Sequence, residues 1–295
     1  MAKGRFVCRS AINHQRRMPA ESLMNHAPIT SSTSNLNAGR MRPGSSPAPL
    51  RPLFLGDWLD ALFIHYQVDA ERLQREVPYQ LDLFEGRAFV SLVAFKMRRL
   101  RPAFGGWLAE TLFKPIANTA YLNVRTYVRN GMEPGIYFIA EFLSNPLCIP
   151  LGPKTFGLPY HLGRLKYARD LREGVLEGRV RHWRRGQEVR FKGTFDRSTR
   201  LQRCARGSLD EFLLERYTAF TMRDHLGRLF CIRHEPWPQV RCDVILEDDG
   251  LLATTGTWIE SARLDSAHFS PGLTNVLMGR PHRTISEYWS DGGLE

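Results

Sequence analysis

The chain is expected to fold as an α+β protein built mainly of antiparallel sheet, and three observations carry that expectation. Segments with strand alternation recur from Leu62 to Glu247. Turns bearing Gly, Asn and Pro separate them. Helical periodicity is confined to a few short stretches, and many strands with few helices describe a sheet-dominated domain.

The first strand is read at Leu62–Val68. Leu62, Ile64, Tyr66 and Val68 fall on one face, and Phe63, His65 and Gln67 on the other, the period of an extended chain. Asp69 is a helix N-cap before a short helix over 70–77 that Pro78 stops. A second strand runs through Ala88–Met97, with Phe89, Val93, Phe95 and Met97 on one face, followed by an amphipathic helix near Trp107–Phe113. Tyr121–Arg129 and Ile136–Leu143 flank Asn130-Gly131 and Pro134-Gly135 and read as a hairpin. Matching apolar face to apolar face sets its register so that Arg125 and Tyr127 share a face with Tyr137 and Glu141, with Arg125 beside Glu141. A second hairpin pairs Val175–Trp183 with Glu188–Phe195 around Arg184-Arg185-Gly186-Gln187, and its exposed faces carry Arg179, Arg181, Arg190 and Lys192. Ser208-Leu209-Asp210-Glu211 is a capping box opening a helix to about Tyr217. Three short strands follow, near 218–223, 228–235 and 240–247.

Composition bounds the function. With 295 residues, 43% of them hydrophobic, the chain can bury a large core. Its five cysteines are scattered and form no Cys-x-x-Cys pair, which argues against a disulfide framework or a zinc ribbon and fits the cytoplasm. No apolar run reaches the roughly 20 residues that cross a bilayer. The net charge is +11, but Lys3, Arg5, Arg9, Arg16, Arg17, Arg40 and Arg42 face only Glu21 before residue 50, so the leader supplies seven minus one, or six, of that excess. Residues 1–48 are rich in Ser, Asn, Pro and Gly without a sustained period. They read as a disordered basic leader, a start assigned too early, an organelle-targeting segment or a genuine basic arm, with 49–295 as one domain.

A resemblance narrows this. Ile64-His65-Tyr66-Gln67-Val68-Asp69, Leu122-Asn123-Val124-Arg125-Thr126-Tyr127-Val128, Pro134-Gly135-Ile136-Tyr137-Phe138, Gly157-Leu158-Pro159-Tyr160, Glu215-Arg216-Tyr217 and Ser270-Pro271-Gly272 together resemble the YqjF-like bacterial family, which is similar in turn to acetoacetate decarboxylase. The resemblance implies a closed or partly closed barrel with a buried cavity and a few short peripheral helices. The decarboxylase signature Gly-x-Pro-Lys-Lys aligns with Gly157-Leu158-Pro159-Tyr160-His161, so the lysine that forms the Schiff base is replaced by tyrosine, which cannot form an imine.

The candidate site follows from both readings. Arg125 is the expected anchor for a carboxylate or enolate, kept in place by Glu141, with a structural ion pair as the alternative. His65 suits acid or base work, or is a hydrogen-bonded core histidine. Tyr160, His65 and Glu141 are the candidate catalytic groups; Arg125, Tyr127, Tyr137, Gln67 and His161 are candidate substrate contacts. No metal or cofactor is expected, since the histidines lack ligand spacing and no dinucleotide or phosphate loop is present. The expected partner is a small organic acid or an apolar ligand, handled by a non-covalent enzyme or by a non-catalytic binding or sensing protein. A third reading, a nucleic-acid or protein interaction module built on the basic hairpin, is weakened by the absence of interleaved exposed aromatics. A homo-oligomer is left open.

Overall fold

The computed structural model describes residues 52–286; the leader 1–48 lies outside them. Its elements are β1 (Pro52–Val68), α1 (Ala70–Gln74), β2 (Gln80–Leu81), β3 (Ala88–Pro102), α2 (Gly106–Phe113), β4 (Thr119–Asn130), β5 (Glu133–Leu143), α3 (Leu151–Phe156) and β6 (Tyr160–Asp170). They continue with β7 (Val175–His182), β8 (Glu188–Thr194), α4 (Leu209–Leu214), β9 (Thr218–Arg223), β10 (Leu226–Arg233), β11 (Val240–Arg241), β12 (Asp243–Asp248), β13 (Arg263–Gly279) and β14 (His282–Thr284). The helices are short and the sheet dominates, as expected.

Seven strands, β5-β9-β10-β13-β1-β3-β4, form a ring that returns to β5, and β6-β7-β8-β12 leave it as a branch. The junction is β5 itself. Ile136 and Tyr137 pair with β9, whereas Glu141, Phe142 and Leu143 pair with β6. Both contacts are parallel; the other strand pairs among the described residues are antiparallel.

The two faces of the ring are buried differently. One carries Phe63, Phe89, Val93, Phe95, Tyr121, Tyr127, Ile136, Phe138, Ala219, Phe230 and Val276. Because all seven ring strands contribute to it, this is the inner face. On the other face Leu62, Ile64, Val90, Leu92, Leu122 and Val124 pack against Leu176, Val180, Val189, Phe191 and Val244 of the branch. With both faces covered, the ring strands read as nearly continuous apolar runs, each fully buried large side chain contributing about 1.5–3 kcal/mol.

Local signals act as read. Asp69 accepts a hydrogen bond from the Arg72 amide at 2.7 Å, and the Ser208 hydroxyl accepts one from the Glu211 amide at 3.2 Å. Three features depart from the expectations. First, a bulge between Val124 and Arg125 shifts the hairpin register, so Arg125 lies opposite Phe138 and Asn123 opposite Glu141. Ile136 and Phe138 therefore face inward while Ala140 and Phe142 face the branch, although an uninterrupted strand would put all four together. Second, α2 buries none of its residues, and Trp107 and Leu112 are largely exposed. Third, the longest partner of β1 is β13, a strand interrupted in sequence by Pro271-Gly272.

That interruption has a geometric reason. Gly272 lies opposite Leu59 and has φ +114, a region that side chains rarely adopt. A Cβ there would sit 2.6 Å from the Leu59 Cα and overlap the Trp58 carbonyl. The Ser-Pro-Gly sequence thus lets β13 approach β1 where β1 is itself irregular. Gly272→Ala is expected to destabilise the fold by about 2–4 kcal/mol in urea unfolding, combining backbone strain with the overlap. A change below about 0.5 kcal/mol would show that the close approach is not required.

Candidate functional site

The inner face becomes polar along two adjacent cross-strand rows. In the first, His268, Phe63, Val93, Asn123, Glu141 and Tyr160 stand opposite one another from β13 through β1, β3, β4 and β5 to β6. In the second, His65, Ser91, Arg125 and Phe138 do the same from β1 to β5. Directly opposed side chains share a face and lie within contact range.

Hydrogen bonds link the second row. His65 Nδ1 is 2.7 Å from the Ser91 hydroxyl, which is 2.6 Å from the Tyr127 hydroxyl. Tyr127 donates to the Leu213 carbonyl at 2.8 Å, and Arg125 Nη2 donates to the same oxygen at 3.1 Å. This carbonyl lies in the last turn of α4, where helix oxygens lack intrahelical donors and carry partial negative charge. The Arg125 guanidinium also stands 5.7 Å from the centre of the Phe63 ring. At the first turn of α4, Asp210 is 3.2 Å from His268 Nε2 and accepts from Arg241 at 2.8 Å. The His268 and His65 rings meet edge to face, with centroids 5.2 Å apart.

Burial sets the protonation states. His65 is fully buried, and desolvation, with His268 and Arg125 nearby, pushes its pKa well below the usual imidazole range, so it is neutral at pH 7. Burial pushes the Glu141 carboxyl up to about 8, making it mostly protonated there. Desolvation raises Asp210, but His268 and Arg241 outweigh it and hold the carboxylate down at about 2. The Tyr160 phenol is pushed well above its ordinary value by burial and by Tyr121 and Glu141, so it remains a hydrogen-bond donor.

The candidate residues fall into three groups. His65, Arg125 and Tyr127 join one hydrogen-bonded cluster, while Tyr160 lies directly opposite Glu141 in the neighbouring row. Gln67 is on the same face of β1, half-buried, beyond His65. Tyr137 and His161 are apart from them: Tyr137 faces Tyr79 on the other side of the sheet, at 5.8 Å between rings, and His161 is exposed beside Phe142. Their separation follows from alternation, since Tyr137 lies on the opposite face to Ile136, and His161 on the opposite face to Tyr160. The expected Arg125–Glu141 pair is absent among the described residues because the bulge puts Asn123 opposite Glu141.

Sequence reasoning missed Ser91, Asn123, Asp210 and His268. Ser91 and Asn123 are lone polar residues in apolar strands, and that polarity was a readable signal. Asp210 was taken up in the capping box, while the strand carrying His268 was not recognised.

Several buried atoms in these rows have no protein partner: His65 Nε2, Asn123 Oδ1, Arg125 Nε, Glu141 Oε2 and His268 Nδ1. Leaving such groups unpaired costs about 1–3 kcal/mol each. None of the five lysines among the described residues is buried. The described residues contain no group of three or more His, Cys, Asp or Glu arranged to hold a metal. The Tyr160 ring lies on Gly152 of α3 so closely that a methyl group there would overlap it. A cleft of about 640 Å³ lies elsewhere, where β5 ends, and includes none of the eight candidate residues in its walls.

The ring, its branch and its polar interior define a protein of the acetoacetate decarboxylase-like fold. The structure is similar to an acetoacetate decarboxylase-like enzyme from Sphingomonas wittichii RW1, with a TM-score of 0.56 and 15% identity over 84% of this chain and 100% of that one. It is also similar to acetoacetate decarboxylase from Legionella pneumophila (TM-score 0.54, 13% identity, 88% of this chain and 99% of that one). A third similar structure is the enduracididine biosynthesis enzyme MppR complexed with pyruvate (TM-score 0.55, 14% identity, 82% and 94%). At these identities the likeness is one of fold. Sequence is more specific: 183 residues are 30% identical to the uncharacterised protein YqjF of Bacillus subtilis strain 168, spanning 61% of this chain and 72% of that protein. Residues 56–274 match the family of uncharacterised conserved proteins DUF2071, and the chain belongs to that family.

Glu141 gives the interior a measurable signature. A carboxyl raised from 4.5 to about 8 on folding binds more protons folded than unfolded between those values, so the Glu141 contribution to stability is full below pH 4.5 and is lost as pH rises through 8. Urea unfolding of Glu141→Gln should show a smaller loss than wild type between pH 5 and pH 8, by a few kcal/mol. Parallel profiles would mean that Glu141 is already ionised and stabilised in the folded chain.

Proposed function

We propose that the chain binds a small organic acid or ketone inside the ring without forming an imine, and that Glu141 and His65 exchange a proton with it. The observation that carries this reading is the set of unpaired buried polar atoms on one inner face, with no lysine among them. Among the similar structures are an acetoacetate decarboxylase-like enzyme, an acetoacetate decarboxylase and an enzyme complexed with pyruvate. By the resemblance of Gly157-Leu158-Pro159-Tyr160-His161 to the decarboxylase signature, Tyr160 stands in the place of the reactive lysine.

Each residue has a part in this reading. Arg125, already committed through Nη2 to Leu213, offers its remaining N–H groups to a carboxylate or enolate oxygen in a low-dielectric site. The Leu213 carbonyl and the Phe63 ring hold the guanidinium in place. Tyr160 and neutral Glu141 donate to a carbonyl or developing oxyanion, and Glu141, with a pKa of about 8, can release and recover a proton near neutral pH. His65, neutral, donates through Nδ1, because the Tyr127 hydrogen goes to Leu213 and the Ser91 hydrogen to Tyr127, and so presents Nε2 as an acceptor. His268, oriented by Asp210, stands behind it. These groups suit proton transfer, or a non-covalent lyase or hydrolase step.

Ligand-dependent melting tests the binding. Pyruvate or acetoacetate at about ten times its Kd should stabilise wild type by about 1.4 kcal/mol, a rise of roughly 2–5 °C. Arg125→Gln and Asn123→Ala should each lose most of that rise; equal shifts in both variants, or no shift in wild type, would remove the interior site. Binding without solvent exchange of ligand protons would favour the non-catalytic alternative. Treatment with acetoacetate and borohydride should leave the intact mass unchanged, whereas a reduced adduct on lysine would restore imine chemistry.

A further inference from the structure

The cleft where β5 ends has a different character from the ring interior. β5 stops at Leu143, and beyond it β3 and β4 separate from β6, β7 and β8 to leave a space of about 640 Å³. That size lies within the range of about 300–1,000 Å³ found for small-molecule sites. Lys96, Arg98, Lys166, Arg179, Arg190 and Lys192 line it, with only Glu177 and Glu247 as acids.

The cations are arranged by the sheet. Lys166 on β6 lies opposite Arg179 on β7, and Arg179 lies opposite Arg190 on β8, so three positive residues form one cross-strand row. Directly opposed like charges destabilise a sheet. Glu188 offsets part of this by accepting from Arg179 at 2.7 Å and pairing with Arg190 at 3.2 Å. Lys192 pairs with Glu177 at 3.4 Å, and Lys96 with Asp60 at 3.4 Å. Arg98 and Lys166 have no ion-pair partner among the described residues, and both are exposed. Lys96 is held below the usual amine range by burial and, to a lesser extent, by Arg98. Leu165 and Tyr167 alternate with Lys166 and project from the opposite face of β6, where the Tyr167 hydroxyl donates to the Tyr121 carbonyl across the divergence at 2.8 Å.

We propose that this cleft is a second binding site, separate from the ring interior, for a small phosphate-bearing anion. Phosphate groups would meet Arg98 and Lys166 and draw on the Arg179–Arg190 row, relieving the like-charge cost of that row. A ligand with two or more negative charges matches the excess of cations over acids.

Calorimetric titration of the full chain with inorganic pyrophosphate and with magnesium-free adenosine 5′-diphosphate tests this. Both should saturate, since each brings the phosphate charge that the cations would meet. Arg98→Glu combined with Lys166→Glu should weaken both by about tenfold or more, because neither reversal strands a paired carboxylate. Arg200→Glu combined with Arg206→Glu makes the same charge change on exposed loop positions and should alter binding by less than about twofold. Absence of saturation, or equal losses in the two double variants, would overturn the proposal. So would tighter binding of a single-stranded ribo-oligonucleotide lost with Arg98 and Lys166, which would assign the cleft to a nucleic-acid backbone. If Arg98→Glu with Lys166→Glu fails to fold, Arg98→Gln with Lys166→Gln should still weaken both anions several-fold. Unchanged affinity there would equally overturn the site.

Discussion

The Leu213 carbonyl accepting from Arg125 and Tyr127 is the interaction on which the interior depends. A guanidinium inside a ring of apolar strands would be prohibitively costly without partners. A helix carbonyl near the negative end of a short helix supplies one, and the Phe63 ring supplies a second contact. Because that oxygen also fixes Tyr127, it positions Ser91 and, through Ser91, His65. The same helix places Asp210 against His268 one turn earlier. α4, only six residues long, thus ties both ends of the polar face to one rigid element. Its capping box serves more than helix initiation, since Asp210 in its first turn is also the carboxylate that His268 meets.

Much of the fold was legible because alternation survives wherever strands are regular. The hairpin ranges, the Asp69 and Ser208 caps, the inward set Phe89, Val93, Phe95 and Met97, and the sheet-dominated class all follow from local pattern. Bulges account for most of the rest. The irregularity between Val124 and Arg125 leaves no mark in the letters, yet it exchanges the partners of Glu141 and removes the expected ion pair. β13 escaped notice because Pro271-Gly272 resembles a chain break, whereas here it marks a close approach to β1. The inward placement of His65, Tyr127, Arg125, Tyr160 and Glu141 is legible through polarity in apolar strands and through position in a motif. Tyr137 and His161 shared those signals but fall on the opposite face, and strand parity was the information that distinguished them.

On the proposed reading, Tyr160 stands where the decarboxylase signature has its lysine, and this changes the chemistry open to the interior. A lysine would need its charge suppressed by burial before attacking a carbonyl. A phenol of raised pKa is already neutral, sits flat on Gly152, and acts as a fixed donor. Beside it a protonated Glu141 adds another neutral donor, so positive charge enters the interior mainly through Arg125. The outer cleft has the reverse balance, with many cations and few acids.

The double commitment of β5 has consequences for assembly. Its junction with β9 joins Ile136 to Ala219, and the seam between β1 and β13 joins Phe63 to His268, so neither can form until distant parts of the polypeptide have emerged from the ribosome. During that interval the edge of β1 stays open. Such late, non-local pairing slows folding and leaves an edge available for intermolecular pairing. Vectorial synthesis therefore favours early formation of the β3–β4–β5 meander, whose partners are sequential, with the final circular closure waiting on β13.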